Sequence, residues 1–166
     1  MLMVNIINNS WGSGAGTGLN VHARHLDYYV RYYPWATITV SAGNDGTTTE
    51  YVGNPGRAYN VITVGAYSDQ GTITWDDDAM ASYSSWKNPD TGAEKPEVAA
   101  SGSSITSTTK TSPWTGNVGS GTSYSAPMVA GEAALMMDRV YWLIDRPETV
   151  KAAIMGSRPV GRKFAP

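Results

Sequence analysis

Ser123 stands in the run Gly119-Ser-Gly-Thr-Ser-Tyr-Ser-Ala-Pro-Met, a small and hydroxylated stretch that leads into an apolar, alanine-rich segment over residues 126–137. A serine hydroxyl becomes a nucleophile only when a base takes its proton and a third group orients that base. Placed at the amino end of a helix, such a serine meets a partial positive charge that favours a developing oxyanion. Gly119 and Gly121 let a substrate backbone come close, and Pro127 is tolerated if it falls in the helix's first turn. The same residues equally suit a plain helix cap, because serine is a favoured cap residue. Two further groups have chemical potential. His22 and His25 lie three residues apart on a predicted helix, a spacing that brings a metal within reach of both only if a third ligand arrives; otherwise they are surface histidines. Asp76, Asp77 and Asp78 form the one acidic run, which reads as a solvated loop or, less readily, as oxygen ligands for a hard cation.

Composition narrows the classes. The 166 residues suffice for about one domain with a real core, and 16% charged against 41% hydrophobic residues describes a globular chain. A net charge of −2 without a basic block gives a nucleic acid no electrostatic foothold. No apolar run approaches the roughly 20 residues of a membrane span, and the amino terminus lacks the pattern of a signal peptide. With no cysteine, disulfides, thiolate chemistry and cysteine-bound zinc are excluded.

The elements that must position Ser123 follow from periodicity. Residues 4–12 begin apolar and end polar, as a buried strand does when it delivers a loop. Residues 12–18 read as loop, and 19–33 as an amphipathic helix stopped by Pro34. Residues 37–40 and 60–66 are β-branched runs, and 96–100 is a weaker one. Helices are predicted at 126–137 and at 147–157, the latter with a proline start and a glycine near its end. Near-continuous apolar strands alternating with helices predict an α/β fold with a mostly parallel sheet. Its ligand site should lie beyond the strands' carboxyl ends, where the polar segments at 8–12 and 41–46 fall.

Five ordered segments together resemble subtilisin-like serine proteases: GTSYSAPMVAGEAAL, VSAGNDG, VGNPGRAYNVITVGA, MASYSSW and KPEVAASG, within a likeness that runs from Val4 to about Ser157. The resemblance implies a partial subtilisin-like fold in which residues 1–166 are the carboxyl-terminal part of a protease catalytic domain. It makes Ser123 the nucleophile and Asn44 the side-chain donor to the tetrahedral oxyanion, beside the backbone N–H of Ser123. Taken as a residue only, an asparagine between glycines is a common turn former. The resemblance further implies that Ser10, Trp11 and Gly12 pair with an extended peptide substrate, a form of strand addition. Gly43, Gly53, Asn54 and Pro55 would then line the pocket for the residue before the scissile bond, with Pro55 in a cis peptide. Gly53 leaves that floor open to a large apolar side chain. Tyr124, where subtilisins proper carry methionine, is less oxidisable and narrows the leaving-group side. Glu97, Ser101 and Met128 depart from the usual aspartate, proline and histidine, away from the expected chemistry. A sister family with a Ser-Glu-Asp triad shares the Gly-Thr-Ser turn but uses aspartate at the oxyanion, so Asn44 points to the histidine branch.

The family's triad aspartate and histidine motifs precede the segment where this chain begins, and no His-Gly-Thr-His motif occurs here. The family's helix at the position of His22 and His25 lies away from the nucleophile, so neither is expected to be the base. The expectation is therefore a serine endopeptidase fragment, inactive alone, whose partner is the missing amino-terminal half. A non-catalytic peptide-binding module, or pseudo-protease, is the alternative. Loss of the preceding strands should bare one sheet edge, and a bare apolar edge favours a homodimer or domain swap. Calcium and secretion to the extracellular space are family expectations only; no other cofactor is expected, and neither nucleic acid nor membrane is an expected partner.

Overall fold

A computed structural model describes residues 4–13, 18–90 and 93–157. The predicted loop at 12–18 lies largely outside the described residues. Three parallel strands form the sheet's spine: β1 (Ile6–Asn9), β2 (Thr37–Ser41) and β3 (Ile62–Ser68). Their register sets Ile6 beside Thr37 and Thr39 beside Ile62. A fourth parallel strand, β5 (Val98–Ser101), pairs with β3, as does the short antiparallel β4 (Ala79–Met80). The expectation of a mainly parallel α/β sheet is met, and the two central strands bury nearly every side chain, as β-branched runs covered on both faces should.

Helices cover both faces. Helix α1 (Val21–Tyr32) is capped by Asn20, whose side chain accepts from the Ala23 N–H at 3.0 Å, and it ends just before Pro34. Its apolar stripe, with Ala23, Leu26 and Val30, packs with Ile38, Val40 and Val61 on one face. On the other face α2 (Thr122–Arg139), a 3-10 turn (Tyr141–Asp145) and α3 (Pro147–Gly156) close over Ile62, Val64, Val98 and Ala100. Two covering layers are what parallel strands buried on both faces require.

Four details differ from the sequence expectations. Helix α2 begins at Thr122, four residues before the predicted start, so Pro127 lies inside the helix and beyond its first turn. Strand β1 is half-buried instead of buried, because among the described residues it pairs only with β2 and forms the sheet edge. The small-sided run of α2 suits a helix packed tightly in the protein's centre, but the helix is not enclosed all round: Val129 and Ala133 pack with Ile62 and Val64, while Met128 and Leu135 are exposed. A hairpin of β6 (Ile105–Thr108) and β7 (Thr115–Gly119) was not predicted, since its serines, threonines and glycines carry no apolar alternation.

Two polar clusters sit inside the fold. Arg57 is fully buried and pairs with Asp90 at 2.9 Å. At the amino-terminal end of β3, Glu97 accepts from the ammonium groups of Lys95 at 2.6 Å and Lys151 at 2.7 Å, tying α3 to β5. The Thr63 N–H donates to its second oxygen at 2.8 Å. Burial pulls Lys95 down to about 8 from 10.5, against the upward pull of Glu97.

Candidate active site

The site forms where the chain leaves β1, β2 and the 52–55 turn, opposite the amino end of α2. Asn44 lies in the turn after β2, and its Oδ1 accepts from both the Thr122 N–H at 3.0 Å and the Thr122 hydroxyl at 3.1 Å. Thr122 Oγ1 also accepts from the Gly43 N–H at 3.2 Å. Asn44 therefore caps α2 from 78 residues away, which is why the helix starts before its alanine-rich stretch. Gly121 occupies the cap position and no side chain of the Gly-Thr-Ser turn serves as the cap, which leaves the Ser123 hydroxyl unused in that role.

With Oδ1 engaged twice, the Asn44 amide is held with Nδ2 toward Gly121. A side-chain carbon added at Gly121 would lie 3.5 Å from Asn44 Nδ2 and 3.8 Å from the Ser123 backbone nitrogen. Asn44 Nδ2 and the Ser123 backbone nitrogen thus both border the space that a side chain at Gly121 would occupy, at ordinary contact distances, with Asn44 Oδ1 also 3.8 Å from it. Hydrogen-bond donors fixed in advance around such a hollow can stabilise an oxyanion.

Ser10 meets Ser123 in two hydrogen bonds. Ser10 Oγ donates to the Ser123 carbonyl at 2.8 Å, and Ser123 Oγ donates to the Ser10 carbonyl at 3.3 Å. Beyond Ser10 the segment with Trp11, Gly12 and Ser13 runs antiparallel to the 52–55 turn, with the Ser13 N–H donating to Asn54 O at 2.8 Å. Carbons added at Gly12 and Gly53 would lie 3.1 Å from Asn54 O and 3.2 Å from Ser13 O, so the close approach of these segments uses both glycines. Gly53 also donates to Ala42 O at 2.8 Å, which ties this turn to β2. Asn54 is buried, its Nδ2 donates to Gly18 O at 3.1 Å, and the Asn54–Pro55 peptide is cis. Gly43, at φ 109°, makes the turn that a side chain would strain. The nine residues that the resemblance assigns to the site, Ser10, Trp11, Gly12, Gly43, Asn44, Gly53, Asn54, Pro55 and Ser123, fall in or beside this region.

The histidines are exposed on α1, but not uniformly remote. The His22 ring packs edge-on against Trp11, with centroids 5.3 Å apart, while Trp11 Nε1 donates to Asn9 Oδ1 at 3.1 Å. The Ser123 hydroxyl is directed to the Ser10 carbonyl and not to an imidazole. Tyr124, next to the nucleophile candidate, donates its hydroxyl to Val118 O at 2.6 Å and so fastens β7 to α2. The Asp76–Asp78 run does not gather ligands: Asp77 accepts from the hydroxyls of Thr72 and Thr74, and among the described residues no three acidic, histidine or cysteine side chains converge. Among the described residues no helix is long and apolar enough to cross a membrane. Thr122 is the site residue that sequence reasoning overlooked; its signal was a buried-type hydroxyl directly after a glycine at a helix start.

These features define an α/β protein with a serine at a helix amino end and an asparagine-lined hollow beside it, and the chain belongs to the subtilase family, whose model matches residues 3–163. Among curated proteins it is similar to serine protease AprX of Bacillus subtilis (strain 168), 37% identical over 114 residues that make 61% of this chain and 26% of that protein. It is also similar to the extracellular serine proteinase of Thermus sp. (strain Rt41A), 32% identical over 150 residues, 90% of this chain and 32% of that one. Among solved structures it superposes on the prenylagaramide maturation protease PagA with a TM-score of 0.71 and 28% identity, covering 93% of this chain and 52% of that chain. For the S41 psychrophilic protease the TM-score is 0.69 at 25% identity, over 91% and 48%. The chain therefore spans at most about a third of those curated relatives and about half of those structures.

Proposed function

We propose that this chain is the nucleophile-bearing part of a subtilisin-type serine endopeptidase, corresponding over residues 1–166 to the carboxyl-terminal part of a catalytic domain. The observation that carries the reading is the pairing of Asn44 Nδ2 with the Ser123 N–H around the hollow that Gly121 leaves open. Ser123 Oγ attacks the scissile carbonyl, the carbonyl oxygen takes the negative charge between those two donors, and the amine leaves with a proton from the general base. An acyl group on Ser123 is then released by water. An extended substrate pairs with Ser10, Trp11 and Gly12, and its residue before the scissile bond enters between Gly43 and the Gly53-Asn54-Pro55 turn.

The base and its orienting carboxylate come from a second polypeptide segment, which docks on the free edge of β1 and on the exposed apolar side of α2. Leu135, 72% exposed, and its neighbours Met136, Val140 and Leu143 line an apolar groove of about 320 Å³ there, rimmed by Glu132 and Arg139, and an exposed apolar patch rimmed by polar residues suits a partner. Without that segment the chain is inactive, and the bare surface instead draws two copies together. Secretion is proposed by likeness to the extracellular proteinase of Thermus.

The test compares peptide and casein hydrolysis by the purified chain with hydrolysis by the chain joined to the sequence preceding it in its gene. Turnover only in the joined protein, abolished by Ser123→Ala, is expected. Turnover by the chain alone would overturn the two-segment reading, and peptide binding without cleavage by the joined protein would establish a binding module instead.

A further inference from the structure

We infer that Ser10 is a positioning residue for the nucleophile, acting through a backbone acceptor that Pro127 sets free. The inference rests on the reading of Ser123 as the nucleophile. In an α-helix the carbonyl of residue 123 accepts from the N–H of residue 127. Position 127 is proline inside α2, and proline has no N–H to give. The Ser123 carbonyl would be left without its ladder partner in a part-buried place, which a helix end normally avoids. Ser10 Oγ fills this gap, donating to that carbonyl at 2.8 Å from 113 residues away.

The consequence is geometric. Strand β1 delivers Ser10, and the hydrogen bond staples the end of β1 to the first turn of α2 at the nucleophile itself. The return bond from Ser123 Oγ to the Ser10 carbonyl, at 3.3 Å, sets the hydroxyl's direction from the same residue. Ser10 thus fixes both the backbone and the side chain of Ser123 relative to the strand on which a substrate lies. Small displacements of a reacting atom are costly, so a residue that fixes this distance acts on rate without touching the substrate's reacting carbonyl. A proline in the nucleophile's helix, which a sequence reading treats as a cost to be tolerated, supplies the acceptor for the staple.

The test uses the chain joined to the sequence preceding it in its gene, with a fluorophosphonate probe. Ser123 Oγ forms a bond to phosphorus, the phosphorus–fluorine bond breaks, fluoride leaves, and the hydroxyl proton passes to the general base of the joined protein; mass spectrometry locates the adduct. Ser10→Ala should be labelled about tenfold more slowly, the rate equivalent of about 1.4 kcal/mol, and Ser10→Thr, which keeps the hydroxyl, should recover most of the rate. Pro127→Ala restores an N–H for the Ser123 carbonyl, so Ser10→Ala should cost much less in that background. The ¹³C shift of the Ser123 carbonyl should move upfield in Ser10→Ala and return in Ser10→Ala/Pro127→Ala. Equal labelling of Ser10→Ala and wild type at Ser123 would overturn the positioning role while leaving the nucleophile in place. A wild type that is never labelled at Ser123 would overturn the nucleophile reading and this role with it. An unmoved carbonyl shift in Ser10→Ala would overturn the staple itself.

Discussion

Glu97→Gln gives the sharpest test of the buried charge cluster beneath β3. Glu97 and Lys95 side chains are 5% and 2% exposed, and Glu97 is also held by Lys151 and by the Thr63 N–H. Lys95 held at about 8 rather than 10.5 already costs the folded state roughly 3 kcal/mol at neutral pH. Without the carboxylate, the cheapest response is for Lys95 to enter the fold neutral, which at pH 7 costs about 5 kcal/mol against an unfolded-state lysine. The Lys95 share of the loss is the difference, about 1–2 kcal/mol. Weaker hydrogen bonds from Lys151 and Thr63 add about 1–2 kcal/mol more. The total, about 2–4 kcal/mol, falls toward the low side of the 3–5 kcal/mol seen when a buried charge loses its partner, because Lys95 can shed its proton. The pH dependence identifies the cause. Lys95 is depressed in the fold, so the unfolded chain binds more protons between about pH 8 and 10.5, and wild-type stability rises with pH through that window. In Glu97→Gln the same rise begins below pH 8. By pH 9 Lys95 is neutral in both proteins, and the gap between them should have narrowed by about 1 kcal/mol. Urea unfolding of wild type, Glu97→Gln and Glu97→Gln/Lys95→Met at pH 7 and pH 9 measures this, with the double variant expected to be more stable than Glu97→Gln at pH 7. A gap that does not change between the two pH values, together with no recovery from Lys95→Met, would refute the reasoning.

Other outcomes follow from the site and the exposed face. Asn44→Asp keeps an acceptor for Thr122 but removes the amide donor, so in the joined protease it should lower kcat by about 10²–10³ with KM nearly unchanged. Asn44→Ala should lose the same rate and also about 1 kcal/mol of stability, because the cap on α2 goes with it; thermal unfolding separates the two variants. Gly121 has extended backbone angles that other residues adopt, and a new methyl group there meets only ordinary contacts, so Gly121→Ala should unfold at nearly the wild-type temperature yet block the hollow and abolish turnover. Leu135→Lys, at an exposed position of α2, should leave the fold intact while shifting a size-exclusion profile from dimer toward monomer and weakening docking of the preceding segment.

Much of the architecture was legible in the residues because it rests on local effects. Apolar β-branched runs at 37–40 and 60–66 read as buried strands, and Pro34, Pro147 and Gly156 punctuate the helices by their own backbone chemistry. The polar segments after β1 and β2 marked the site's end of the sheet for the same reason. Hairpin β6–β7 stayed hidden because exposed serines and threonines have no periodic burial to betray them. Which polar atom meets which was decided only by the tertiary structure. Asn44 caps a helix 78 residues away, and Ser10 supplies a hydrogen bond that Pro127 withholds. Nothing near Lys95 and Glu97 announces that Lys151, 54 residues on, completes their cluster. Hydrophobic patterning specifies which face of an element is buried, since burial scales with area and needs no particular partner. A hydrogen bond or ion pair depends on distance and direction between atoms that only the packed chain brings together.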